Sequence, residues 1–445
     1  MEKCRYRKAL ALLCGSMFII LLNPINASNI VLDENWNRTY GLGHVASSNQ
    51  TSDGGYIILG NIDYDVKLIK TDSAGNEQWN KTYGGIDRDS AEDVKQGTDG
   101  GYIFIGRTSS YGAAASVQSI YENGDSDNVW LVKTDSEGNE LWNRTFGGSD
   151  LDSGSSVQQS KDGGYILLGV TYSYGAGNLD AWLIKTDFNG TELWNRTFGG
   201  PGYDWGNSLL ITKDDGYIIG GVLDSRNSDY DVWLIKTDSK GTELWNRTFG
   251  GPQSDWGESV QQTNDDGYVI VGDTESFGTN NASHNIWLIR TDSMGVELWN
   301  KTIPVCKITL PNIPMSFEGG AGVVQQTTDG GYIILGTNNP CRMPIYSDLL
   351  NRTGSNVTGM RMIRLLRFRD AWLIKTDSNG NKLWDKTMGG SGNDYGTSIY
   401  QAGDGTYVIA GSTNGSYNLT TYDISSFSFH PEGDKVWLVK LKPLI

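Results

Sequence analysis

The chain has 445 residues, of which 52 are acidic and 36 basic, for a formal net charge of −16. A surface this acidic lacks the basic footprint that phosphate contacts need, which excludes nucleic acid as the natural partner. Aromatic residues at 11% supply core material and exclude wholesale disorder, while 58 glycines suit short strands joined by tight turns.

The first predicted element is not part of the fold. Lys3, Arg5, Arg7 and Lys8 precede an apolar run from Ala9 to Leu22, and "NPINAS" offers a small-residue cleavage point after Ala27. Residues 1–27 read as a secretory signal peptide, an uncleaved anchor being the competing reading. The run is short for a spanning helix of ~20 residues, and no later stretch approaches that length. The mature chain, 28–445, is therefore expected outside the cell or at its surface, without a membrane span.

From there the chain repeats one sentence. "GGYIILG" or a relative begins near Gly54, Gly100, Gly163, Asp215, Asp266, Gly330 and Gly405, and each copy is followed by "WLIKTD" or a variant. "ELWNRTFGG" follows six times, centred on Trp79, Trp142, Trp194, Trp245, Trp299 and Trp384. The seventh tryptophan segment stands at the other end, in "NWNRTYG" around Trp36. A linear solenoid has no use for that arrangement, whereas a closed ring uses it to lock first unit to last and to remove exposed sheet ends.

Each unit reads as four strands: A ("SGSSVQQS"), B ("GGYILLG"), C ("DAWLIKTD") and D ("ELWNRTFG"). Turns of the "DGG" and "DSxGN" kind link A to B and C to D, where Gly, Asn and Asp accept positive φ. The prediction is all-β: a seven-bladed β-propeller of four-stranded antiparallel blades, closed by an N-terminal strand that completes the last blade. An insertion over 338–369 delays strand C of blade 6. The tryptophans of strand D are expected to pack against the neighbouring blade rather than to form a sugar-stacking ladder.

"TDSEGNELW" resembles the tryptophan-docking turn of propellers typified by the pyrroloquinoline-quinone alcohol dehydrogenases, with Asp135 and Gly138 one residue closer than in that pattern. The whole unit more closely resembles the repeats of exported β-propeller proteins of archaeal methanogens and some bacteria, over essentially residues 30–445. That resemblance implies a secreted or cell-surface location. It does not bring the quinone chemistry along, because no adjacent cysteine pair is present and the ring has seven units where those enzymes usually have eight.

The variable D–A and B–C links share one end of the ring, where binding residues usually collect on a rigid scaffold. Strand A opens there with acidic residues beside aromatics or glycine. Asp152, Asp204 with Trp205, Asp255 with Trp256, and Asp394 with Tyr395 are the candidate ligand-binding residues, joined by Asp89 and Glu318. Such a ring of carboxylates and aromatics suits Ca²⁺, a cationic ligand or a sugar. The competing reading is that each aspartate caps its own loop through backbone N–H groups. No cofactor is called for by any motif, and Ca²⁺ is the one ion the pattern suits.

Four further expectations follow from single features. Cys306 and Cys341, the two cysteines beyond the leader, are expected to form one disulfide in an oxidising compartment. Arg361, Arg364, Arg367 and Arg369 alternate with apolar residues in an acidic chain, a candidate partner-docking loop. Asn189, Asn281, Asn351, Asn356 and Asn418 are candidate N-glycosylation sites in loops, with further N-x-T sequences in strand D. His44, His284 and His430 have no recognisable catalytic spacing. The functional expectation is a binding or envelope-interaction module for a cell-surface polysaccharide or protein, the alternative being a polysaccharide-active enzyme that uses channel-mouth carboxylates.

Overall fold

The computed structural model describes residues 32–112, 127–225, 229–278, 284–305, 320–338, 369–389, 392–402, 404–413 and 435–443. The leader, Cys306, Cys341, Arg361, Arg364, Arg367, Glu318, Asn281, Asn351, Asn356 and Asn418 lie outside them. The described elements are 28 strands in seven four-stranded antiparallel sheets. No helix among the described residues is long and apolar enough to cross a membrane.

In each sheet the strands follow chain order except in the last. There Asp394–Gln401, Tyr407–Thr413 and Lys435–Pro443 are completed by Leu32–Leu42, which pairs antiparallel with Lys435–Pro443 from Leu32 against Pro443 to Leu42 against Lys435. The N-terminal strand therefore closes the ring, as the repeat count requires. The first strands of the blades are His44–Gln50, Asp89–Gln96, Asp152–Gln159, Trp205–Ile211, Asp255–Gln262, Gly320–Gln326 and Asp394–Gln401. Each contacts the next, and the last contacts the first, so these strands form the inner ring.

Strand B and strand C alternate little because both faces are covered. Tyr165–Thr171 and Asp180–Thr186 of blade 3 are buried at almost every position, between the blade before and the blade after. Apolar residues at successive positions thus feed two different inter-blade cores, which is why "YILLGVT" reads as a continuous run.

The outer strands anchor each blade to its successor. Trp142 meets Tyr165 of the next blade with ring centroids 6.0 Å apart, and the same tryptophan–tyrosine pair recurs at all seven junctions, from Trp36–Tyr56 to Trp384–Tyr407. On its other side the Trp142 ring lies against Gly190 in the next blade's C–D turn. A Cβ at Gly190 would stand 2.7 Å from the ring, and its φ of +76° is the left-handed region. Arg144 covers the same indole from its own strand at 5.2 Å. The expectation that these tryptophans pack between blades is met.

A polar clip joins the two turns at the same end. Lys133, in strand C, is buried and donates to the Thr134 carbonyl and to Asp99 in the A–B turn, at 2.9 and 3.0 Å. Equivalent lysines, with Arg290 in blade 5, repeat this around the ring. The Asp135 carboxylate, meanwhile, accepts the N–H groups of Glu137 and Asn139 and closes the C–D turn.

Candidate functional site

The opposite end of the ring carries the variable links, and there the strand starts do two kinds of work. Asp152, Asp204, Asp255 and Asp394 are wholly buried. The Asp152 Oδ2 accepts the Gly148 N–H at 2.8 Å and the Ser173 hydroxyl at 2.7 Å. Asp204 accepts the N–H groups of Gly200 and Asp224, at 2.6 and 2.7 Å, and Asp255 accepts that of Gly251 at 2.9 Å. The Asp89 carboxylate takes the Thr108 hydroxyl and the Gly85 N–H. These carboxylates clasp the D–A links to their own strands, the geometry of the loop-capping reading. One oxygen each of Asp89 and Asp152, and both oxygens of Asp204 and Asp255, take backbone N–H groups, with which a cation would compete, whereas Asp152 Oδ1 is buried without a hydrogen bond. Among the described residues no three His, Cys, Asp or Glu side chains gather as metal ligands.

The residue after the aspartate position of each inner strand stands at the mouth itself. Going round the ring these are His44, Ser90, Ser153, Trp205, Trp256, Gly320 and Tyr395, with glycine in place of the aspartate before His44 and Gly320. Trp205, Trp256 and Tyr395 are half-buried, and each has an aromatic neighbour. Trp205 meets Tyr230 at 5.2 Å, Trp256 meets His284 at 5.4 Å, and Tyr395 meets His44 at 6.4 Å. The His284 Nε2 lies 3.3 Å from Glu275 Oε1. Two neighbouring blades, 4 and 5, thus carry an aromatic arc that blades 2, 3 and 6 lack. Arg369 of the nominated docking loop is tied in at this end: its N–H donates to Asn393 Oδ1 at 2.8 Å and its carbonyl accepts the Asp394 N–H.

Below the mouth, every inner strand has a β-bulge at the same place, between Gly154 and Ser156 in blade 3 and at the matching positions elsewhere. A bulge re-aims one side chain. The re-aimed residues are Ala46, Glu92, Ser155, Asn207, Glu258, Gly322 and Thr397. They keep solvent contact while the residue before six of them and the residue after two of them, Asp93 and Ser156, are buried, which places them on the central channel. Ser155 Oγ donates to Gly206 O at 3.0 Å, Asn207 Nδ2 to Gly257 O at 2.8 Å, and Thr397 Oγ1 to Val45 O at 3.2 Å. Each bond joins one inner strand to the next.

Glu92 and Glu258 take the same position with an acceptor-only carboxylate. Desolvation in the channel raises both, Arg107 opposing the effect at Glu92. Beside Glu258, Asp273 on strand B accepts the Ala321 N–H at 3.0 Å, and its carboxyl is pushed up to about 7 by burial, with the Glu258 charge adding to the shift. Neither Glu92, Glu258 nor Asp273 is among the residues nominated from sequence. The signal for the two glutamates was a column departure: "AEDVKQ" and "GESVQQ" carry glutamate where "GSSVQQ" carries serine.

Seven four-stranded antiparallel sheets closed in a ring define a seven-bladed β-propeller, with bulged inner strands around an acid-bearing channel and an aromatic arc on blades 4 and 5. No family model and no curated protein matches the sequence. Among solved structures the chain is similar to YCF48 bound to D1 peptide, at 10% identity and a TM-score of 0.47, covering 95% of this chain and 100% of that one. It is also similar to a puromycin hydrolase S511A mutant (9%, TM-score 0.43, 87% of this chain and 52% of that one) and to Hsv2 of Kluyveromyces lactis (8%, TM-score 0.40, 83% and 93%). Likenesses this remote carry no functional argument, and the architecture rests on this chain's own sheets.

Proposed function

We propose that the protein is an exported binding module that takes a carbohydrate ligand at the variable end of its ring. The observation that carries the reading is the break in symmetry: Trp205 with Tyr230 and Trp256 with His284 form an aromatic arc over two neighbouring blades, each tryptophan two residues before Asn207 or Glu258 on the same inner strand. Aromatic faces suit the apolar faces of sugar rings, and the amide and carboxyl groups below suit their hydroxyls. The test is a polysaccharide and glycan array with the mature protein and a Trp205→Ala, Trp256→Ala variant. Saccharide binding that falls at least tenfold in the variant supports the reading. Retention of binding by a folded variant, or binding of peptides alone, overturns it.

A second reading is favoured by one specific observation. A carboxyl raised to about 7, as that of Asp273 is, is about half protonated at neutral pH, which is the condition a general acid needs. Turnover of a bound polysaccharide that disappears in Glu258→Gln and in Asp273→Asn would make the same mouth an active site.

A further inference from the structure

The outer strands repeat a feature that the channel does not use. In six of the seven blades the strand contains N-x-T, at Asn37, Asn80, Asn143, Asn195, Asn246 and Asn300. Blade 6 alone has Asp385 in that column. Strand alternation puts the residue two before, the asparagine and the threonine on one face, away from the docked tryptophan. In blades 2 to 5 the residue two before is a leucine left 57–58% exposed: Leu141, Leu193, Leu244 and Leu298. An exposed leucine, an amide and a hydroxyl therefore stand in line on four successive blades.

Beside one of these amides lies a cavity. Between blades 2 and 3 a space of about 310 Å³ is lined by Thr145, Phe146, Tyr174, Trp182, Asn195 and Thr197. The Trp182 side chain is 2% exposed and its Nε1–H has no hydrogen-bond partner. In blade 5 the matching indole N–H donates to Asn300 Oδ1, and in blade 6 to Asp385 Oδ2 at 2.9 Å. Tyr174 packs on Trp182 at 5.3 Å and gives the cavity an aromatic wall.

The geometry points to a modification: the outer strands are N-glycan acceptors, and the sugar attached to Asn195 occupies the cavity between blades 2 and 3. This rests on the export reading, because the donor is a glycosyl phosphate available outside the cytoplasm. The sugar C1–O bond to phosphate breaks, a C1–Nδ2 bond forms, one amide proton leaves with the phosphate side, and no electron transfer is involved. The remaining amide N–H can keep the contact that Asn195 Nδ2 makes with Glu192 Oε1 at 2.6 Å. The sugar's apolar face would cover Leu193, and its hydroxyls would meet the Trp182 indole N–H. Asp385 has no amide to modify, and it holds Lys382 Nζ at 2.7 Å instead, so blade 6 stays bare.

The full chain is produced in secreting eukaryotic cells that glycosylate asparagine, once with its own leader and once behind a heterologous leader. Sites are mapped by peptide mass spectrometry after enzymatic release in heavy-oxygen water. The expected result is label at Asn195 and at other outer-strand asparagines, loss of the Asn195 label alone in Thr197→Val, and release from Asn195 at least tenfold slower in the folded than in the unfolded protein. A secreted, folded product with no label at any outer-strand asparagine overturns the proposal. Label with equal release rates in both states overturns the cavity assignment. Secretion behind the heterologous leader only would fault the export reading while still deciding the glycan question.

Discussion

Gly190 shows how one residue holds a junction. Its left-handed φ and the 2.7 Å approach of Trp142 leave no room for a side chain. Gly190→Ala is expected to destabilise the fold by roughly 1–3 kcal/mol, read as a lower denaturant midpoint. The A–B turns show the converse. Asp215 and Asp266 hold φ of +62° and +66° where the other blades have glycine, and each pairs with a lysine of the preceding turn, Lys161 and Lys213, at 2.5 Å. Exposed pairs contribute about 0–1 kcal/mol and left-handed backbone costs about 1–2 kcal/mol, so Asp215→Gly should raise stability by about 1 kcal/mol or less in urea titration. Asp273 sets a pH effect. Its folded pKa is raised, so the stability it contributes is complete below about 4 and is lost as pH rises through about 7. Asp273→Asn should flatten the fall in the unfolding midpoint between pH 5 and 8, and an unchanged slope would refute that role.

At the scale of the element, the A–B and C–D turns form one unit through the buried lysine. Lys185 reaches both the Thr186 carbonyl and Asp162, so Lys185→Met leaves that carbonyl without its partner and should cost about 1–3 kcal/mol. These clips also set the acid limit. Burial pushes the Asp53 carboxyl up, but the Lys70 ammonium and the Thr51 hydroxyl outweigh it and hold the group at about 2. At Asp404 the Thr406 hydroxyl and N–H, with Lys440, do the same. A depressed folded pKa contributes stability that is present above the ordinary carboxylate range and lost as pH falls towards 2. The repeated turn sequence made both turns legible, but not the clip, since "WLIKTD" does not say which acid its lysine meets across the blade.

At the scale of the molecule, the seam differs from the other junctions. Six tryptophans dock on a C–D turn glycine of the next blade, whereas Trp384 packs in a cluster with Trp437 and Leu441 of Lys435–Pro443, a strand joined to its partner Leu32–Leu42 by no turn. Joining Pro443 to Leu32 through a copy of Asp135–Asn139, and opening the chain between Thr134 and Glu140 instead, should keep the seven-bladed ring. It should also move the weak junction from blade 7 to blade 2. Circular dichroism and a single unfolding transition check this, and a molten or aggregated product would show that the seam cannot be moved.

The repeat alone determined the blade number, the strand order and the closing strand, because a four-strand unit with one strand displaced to the far end of the chain has only a closed ring as its solution. It also marked Trp205, Trp256 and Tyr395, whose columns break the pattern. The aspartates beside them were ambiguous in sequence, since a loop cap and a ligand contact use the same side chain. Only the fold showed the oxygens of Asp204 and Asp255 turned towards Gly200 and Gly251, as those of Asp152 are towards Gly148. The channel carboxyls were decided by tertiary structure as well. A bulge turns Glu92 and Glu258 out of the alternation that sequence reading relies on, and burial among neighbouring blades, which no local pattern encodes, raises the Glu258 and Asp273 carboxyls.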